Sequence, residues 1–107
     1  MNCDLQDPAV RPVAKEIGVL EMCAAKGAPG AAMRLSLWHL NSESEGVYWT
    51  RIAAENGSAV GQYNYAIKLL ENKSRPTDKL RAIFWLELSA KQGFKDAAVQ
   101  LQKMREK

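Results

Sequence analysis

The sequence predicts an all-α fold: a short α-solenoid of about three helix-turn-helix repeats, with roughly six antiparallel helices. One phrase is stated twice, as "WTRIAAENGSAVGQYNYA" at 49–66 and "WLELSAKQGFKDAAVQLQ" at 85–102. Trp49 and Trp85 each precede a glycine, Gly57 and Gly93, by eight residues, and the copies lie 36 positions apart. That spacing is characteristic of helical repeat arrays. Apolar and small residues also recur at three- and four-residue spacing (Trp49, Ile52, Ala53; Trp85, Leu88, Ser89), which is helical periodicity. No segment alternates as a half-buried strand does.

The elements follow in order along a single domain spanning 1–107. Residues 1–11 read as an N-terminal arm. Residues 12–41 read as a degenerate first hairpin, with helices near 12–26 and 29–40. Its "MCAAKGAPGAAMRLSL" puts Gly27 in the glycine register, with Ala24, Ala31 and Leu35 at matching offsets. Val19 stands at the Trp position, and the distance to the next unit is 30 residues instead of 36. The difference falls in the connection "LNSESEG", where length changes are tolerated. Pro29 suits the first position of a helix.

The second repeat, 42–76, holds helices near 44–56 and 58–72, with Ser58 as N-cap. The third, 77–107, holds helices near 77–92 and 95–105. There Thr77 is the expected cap, and Asp78 sits near the positive helix end. The terminal "KMREK" supplies cations to a last helical turn. Each repeat glycine fits a helix C′ position, where positive φ is needed.

Helices joined by so short a turn must cross closely. Ala53, Ala54, Gly61 and Ala66 leave room for this, as do Ala90, Ala97 and Ala98, while Trp49 and Trp85 are expected to fill the wider gap between hairpins. Each phrase recurs because each unit must pack on its neighbour through the same contacts. The last hairpin shows no obvious polar capping helix, so Val99 and Met104 are expected to close an apolar end or meet a partner there.

Composition narrows the function classes. Fifteen Lys and Arg against twelve Asp and Glu give a net charge of +3, with the signs interspersed along the chain. No basic stripe with interleaved aromatics appears, which argues against nucleic acid. No apolar run approaches the ~20 residues of a membrane span. The N-terminus lacks the basic and apolar regions of a signal peptide. The expectation is an exported chain, periplasmic or otherwise, whose leader has already been removed, in preference to a cytoplasmic one.

The two cysteines are too few for a disulfide scaffold or a metal site. Cys3 and Cys23 either form one bridge tying the arm to the first helix, or stay as free thiols, with Cys23 filling the slot that Ala53 and Ser89 occupy elsewhere. Export would favour the bridge. No cofactor is expected: "KGAPGAAMR" lacks the Lys-Ser/Thr ending of a phosphate loop. Glu43 and Glu45 read as solvated. His39 is the one imidazole available as a base, with Cys23 as a candidate nucleophile to pair with it, and packing roles account for both more simply.

The spaced identities Trp49, Ala53, Ala54, Gly57 and Trp85, Ala90, Gly93 go beyond generic helix pairing. Together with "GSAVGQYNYA" they resemble the Sel-one-like repeat, a tetratricopeptide-related motif, over about residues 20–104. Departures are Gly61 for the usual Ala, Tyr65 for Leu, Ala66 for the second Gly, and Ser89 for Ala. The resemblance implies a right-handed α-solenoid that binds other proteins and performs no chemistry. It also implies a bacterial setting, often with export, and roles as adaptors, regulators or toxin-neutralising partners.

The expected binding surface is the first helix of each hairpin. Its residues one before, two after and six after the Trp are Tyr48, Arg51 and Glu55, then Phe84, Glu87 and Lys91, each trio along one helical face. Tyr and Arg are enriched among residues that dominate binding energy. Phe84 has a second reading as core, because "AIFWLEL" is apolar nearly all round. The functional expectation is therefore a non-enzymatic module for one dedicated protein partner, either as a monomer or as a weak homodimer. Its concrete version is an immunity or inhibitor protein neutralising a cognate bacterial toxin or secreted effector. A regulatory or cell-envelope adaptor is the alternative, and an enzyme using Cys23 and His39 is the reading from another class.

Overall fold

The glycine turns decide the architecture, and all three close in the same way. Gly27, Gly57 and Gly93 have φ of 92°, 97° and 92°. Each N–H bonds back to the carbonyl three residues earlier: Gly27 to Ala24 (2.9 Å), Gly57 to Ala54 (3.2 Å), Gly93 to Ala90 (2.9 Å). The next residue bonds back five: Ala28 to Cys23 (3.0 Å), Ser58 to Ala53 (3.0 Å), Phe94 to Ser89 (3.2 Å). These paired bonds form a Schellman motif, which satisfies the orphan carbonyls of a helix end and requires a left-handed residue at the glycine. The residue after the glycine is also the N-cap of the next helix, so the chain reverses within two residues.

The computed structural model describes residues 3, 7–71 and 75–106. Residues 1–2 and 4–6 of the arm, 72–74 of the connection before the last hairpin, and 107 lie outside the described residues. After a 3-10 turn at Ala14–Glu16 come α1 (Ile17–Ala25), α2 (Pro29–Trp38), α3 (Glu43–Glu55), α4 (Ala59–Glu71), α5 (Pro76–Lys91) and α6 (Lys95–Arg105). No strand occurs among the described residues. The fold is thus all-α, and each helix packs mainly on its sequence neighbours. The molecule measures 46 × 28 × 20 Å with a radius of gyration of 14.1 Å. A near-spherical domain of this length would have about 13 Å, so the stacking is elongated.

Two helix starts differ from expectation. The first helix does not begin at Pro12. Val13 is extended, and its N–H donates to Glu16 Oε1 at 2.9 Å, so the carboxylate anchors a 3-10 turn that passes into α1 at Ile17. Thr77 is not a cap. Pro76 occupies the first helical position, and Arg75 (φ −131°, ψ 126°) is the N-cap, with no side-chain cap bond. Proline disfavours the helical region for the residue before it and is itself preorganised for the first turn, which fixes the boundary one residue early. Ser58 does cap α4: its Oγ accepts the Gly61 N–H at 2.9 Å.

The core divides at α3. One cluster gathers Leu20, Cys23, Ala24, Ala31, Ala32, Met33, Leu35 and Ala53, with Trp49 and Ile52 packed against it. The other gathers Ala54, Tyr65, Ala66, Leu69, Ala82, Leu86, Ala97 and Leu101, with Trp85, Tyr63 and Phe94 against it. Ala53 and Ala54, adjacent in sequence, therefore belong to different cores. Polar bonds tie the last two hairpins together. Ser89 Oγ donates to the Ala59 carbonyl (2.7 Å), and Gln92 Nε2 donates to Gly57 O and Gln62 Oε1 (both 3.0 Å).

The arm is fastened to the first hairpin. Cys3 and Cys23 form a disulfide, with Cα atoms 5.6 Å apart. Arg34, 4 % exposed, donates from both guanidinium ends to Glu16 (3.1 and 3.2 Å) and from Nε to the Val10 carbonyl (3.0 Å). Cys23 stands at the register position of Ser89, and both side chains bond to chain that precedes their own hairpin. The arm therefore takes the place of a preceding unit.

Candidate protein-binding face

Tyr48 and Phe84 each stand one residue before a repeat Trp, and each meets it edge-on. The ring centroids are 5.0 Å apart at 81° for Tyr48–Trp49 and 5.2 Å at 78° for Phe84–Trp85. Trp49 packs on the first core and Trp85 on the second, where it also meets the Tyr65 ring at 5.9 Å. The inner ring is thus held by the core, and the outer ring is braced against it.

Tyr48 is 54 % exposed and Phe84 57 %. The reading of Phe84 as core is therefore corrected. The inward side of α5 is taken by Asp78, Ala82, Leu86 and Ser89, and helical geometry turns Phe84 away from that stripe. Arg51, Glu55, Glu87 and Lys91 are exposed as well. Arg51 Nε donates to Glu55 Oε2 at 3.0 Å, and this hydrogen bond, then the charge of Glu55, pushes the arginine pKa further up.

Two grooves flank these aromatics. One, about 280 Å³, lies between α1 and α3 and is lined by Glu21, Ala24, Tyr48, Trp49, Ile52 and Asn56. Trp49 Nε1 is buried and has no hydrogen-bond partner among the described residues. The other, about 480 Å³, runs between α5 and α6 and is lined by Phe84, Glu87, Leu88, Ala90, Lys91 and Leu101.

A third groove, about 510 Å³, was not foreseen. It lies among α2, α3 and α4, with Met33, Leu37, His39, Glu43, Tyr63 and Lys68 on its walls. Here α2 has 10 residues, three fewer than the α3 and α4 that form the other walls. The 30-residue offset comes from the helices and not, as expected from the sequence, from a shorter connection: α2 and α3 are each three residues shorter than α4 and α5, which accounts for the six. The buried Arg34 pair was also missed, because nothing local marks a cation as core.

Nothing in this arrangement assembles Cys23 and His39. Cys23 sits in the first core with its sulfur bonded to Cys3, which removes it as a nucleophile, while His39 caps α2 at the third groove. Glu43 is well exposed and lies 3.9 Å from Lys68 Nζ. Among the described residues no group of three His, Cys, Asp or Glu could hold a metal ion, and no helix is long and apolar enough to cross a membrane. No family model matches the chain, and comparison with curated proteins and with solved structures likewise returns no match.

Proposed function

We propose that this chain is a non-enzymatic protein-binding module of the Sel-one-like type, which holds one dedicated partner on the face carrying Tyr48, Arg51 and Glu55, continued by Phe84, Glu87 and Lys91. The observation that carries the reading is the repeated aromatic pair. Two large rings are held half-exposed by two tryptophans rooted in the core. Such rings are anchored before a partner arrives, so little side-chain freedom is lost on binding, and aromatic anchors of this kind dominate interface energies. The concrete form we favour is an immunity or inhibitor protein that masks a cognate bacterial toxin or secreted effector. The Cys3–Cys23 disulfide supports an exported, oxidising setting such as the periplasm, since such bonds are rare in the cytosol.

The test is affinity capture from native lysate with wild type and a Tyr48→Ala/Arg51→Glu variant, followed by titration of the purified partner. One stoichiometric partner, lost by at least about tenfold in affinity in a variant with unchanged helicity, is the expected result. Equal capture by both baits would place the interface elsewhere.

A further inference from the structure

We propose that Asn56 is a spontaneous deamidation site gated by the turn between α3 and α4: when that turn opens, the Gly57 nitrogen attacks the Asn56 side chain and the amide is lost as ammonia. Asn56–Gly57 is the one Asn-Gly pair in the sequence. A glycine after asparagine leaves the attacking nitrogen unshielded by a side chain and gives the backbone the freedom that ring closure needs. The other two turns in register carry Lys26–Gly27 and Gln92–Gly93. Lysine has no amide to lose, and glutamine would have to close a six-membered ring, which is far slower. Asn56 and Gly57 are both exposed, with open space beside Gly57, so water reaches the pair.

One water balances the reaction. The Gly57 amide gives its proton to solvent base, its nitrogen bonds to Asn56 Cγ, and the Cγ–Nδ2 bond breaks as Nδ2 leaves in ammonia. Water then opens the five-membered imide. Addition at Cγ gives aspartate, and addition at the backbone carbonyl gives isoaspartate, whose main chain runs through the former side chain. The folded turn opposes the first step at three atoms. Gly57 N–H donates to Ala54 O (3.2 Å), Asn56 Nδ2 donates to Ile52 O (2.8 Å), and Gly57 O accepts from Gln92 Nε2 (3.0 Å). The nucleophile is thus engaged, the leaving amide is held against the helix end, and Gln92 fastens Gly57 from its carbonyl side. Reaction waits on local opening, and the cost of opening sets its rate.

The products dismantle the turn that delays them. The donor to Ile52 O becomes a carboxylate, which only accepts, at the negative end of α3. Isoaspartate also lengthens the main chain just before Gly57, which pulls Gly57 and Ser58 out of register with Ala54 and Ala53, the residues that lead into the two cores. Asn56 lines the α1–α3 groove with Glu21, Tyr48 and Trp49, so the new negative charge falls there. The chemistry does not rest on the protein-binding reading, although it alters that face.

The test is incubation of the purified chain at mildly alkaline pH, folded and in guanidinium chloride, with peptide mapping by mass spectrometry and an isoaspartate assay. In the unfolded chain Asn56 should convert ahead of every other asparagine, and in the folded chain at least about tenfold more slowly. Gln92→Ala, which removes one bond from Gly57, should speed the folded-state reaction by at least about twofold, with circular dichroism checking that helicity is unchanged. Equal rates in the folded and unfolded chains would overturn the proposal. So would an Asn56 that stays intact in the unfolded chain, or a Gln92→Ala chain that reacts no faster than wild type.

Discussion

Two glycines in the second hairpin show how different physical demands select the same residue. Gly57 has open space around it but a φ of 97°, so its constraint is backbone strain. Gly61 lies inside α4, where an added Cβ would sit 2.9 Å from Ala53 Cβ and 3.0 Å from Ala54 N, so its constraint is helix approach. Gly57→Ala should cost about 1–2 kcal/mol, the penalty of a left-handed L-residue. Gly61→Ala should cost about 1–3 kcal/mol through overpacking. Urea unfolding would separate the two mechanisms: Ala53→Gly should relieve part of the Gly61→Ala loss and none of the Gly57→Ala loss. Additive losses in both double variants would refute this account. The turn glycines were legible in the sequence because their requirement is local and repeats in register. Phe84 was not, because its apolar neighbours in "AIFWLEL" hide which side of the helix faces inward, and only the packed stripe of Ala82, Leu86 and Ser89 resolves it.

At the scale of elements, the arm is the part that sequence reasoning resolved least. The sequence leaves two free thiols as open as a bridge, and nothing in it singles out Arg34. Their roles depend on contacts 20 and 24 residues away in the chain, which no periodicity encodes. The disulfide closes a loop whose unfolded-state entropy corresponds to about 3 kcal/mol, so Cys3→Ser should lower stability by roughly that amount in chemical denaturation. The Glu16 link adds a pH dependence. The bond from the Val13 backbone, then that from Arg34, holds the Glu16 carboxyl below its ordinary value of 4.5. A carboxylate whose pKa is lowered by folding stabilises the fold above that ordinary value, and the contribution is lost as pH falls through the lowered one. Glu16→Gln should therefore be less stable than wild type near neutral pH, and the difference should shrink on acidification below 4.5. A difference independent of pH would show that the charge plays no part.

The whole molecule behaves as two cores sharing one wall, α3, which gives Ala53 to the first and Ala54 to the second. In a stacked array each unit is stabilised by itself and by its neighbours, so a local lesion should weaken its own core first and spread only through the shared helix. The two cores are also fastened differently: the first through the disulfide and Arg34, the second through Ser89, Gln92 and the packing of Leu86. Hydrogen exchange can read this division directly. Reduction of Cys3–Cys23 should speed exchange in α1 and α2 well before α5 and α6 respond. Leu86→Ala, which empties a fully buried site at a cost of about 2–5 kcal/mol, should do the reverse. The two patterns should meet at α3, where protection falls in either case because one of its two faces loses its partner. If both perturbations instead raise exchange uniformly from α1 to α6, the cores are a single cooperative unit, and the boundary between Ala53 and Ala54 has no energetic meaning.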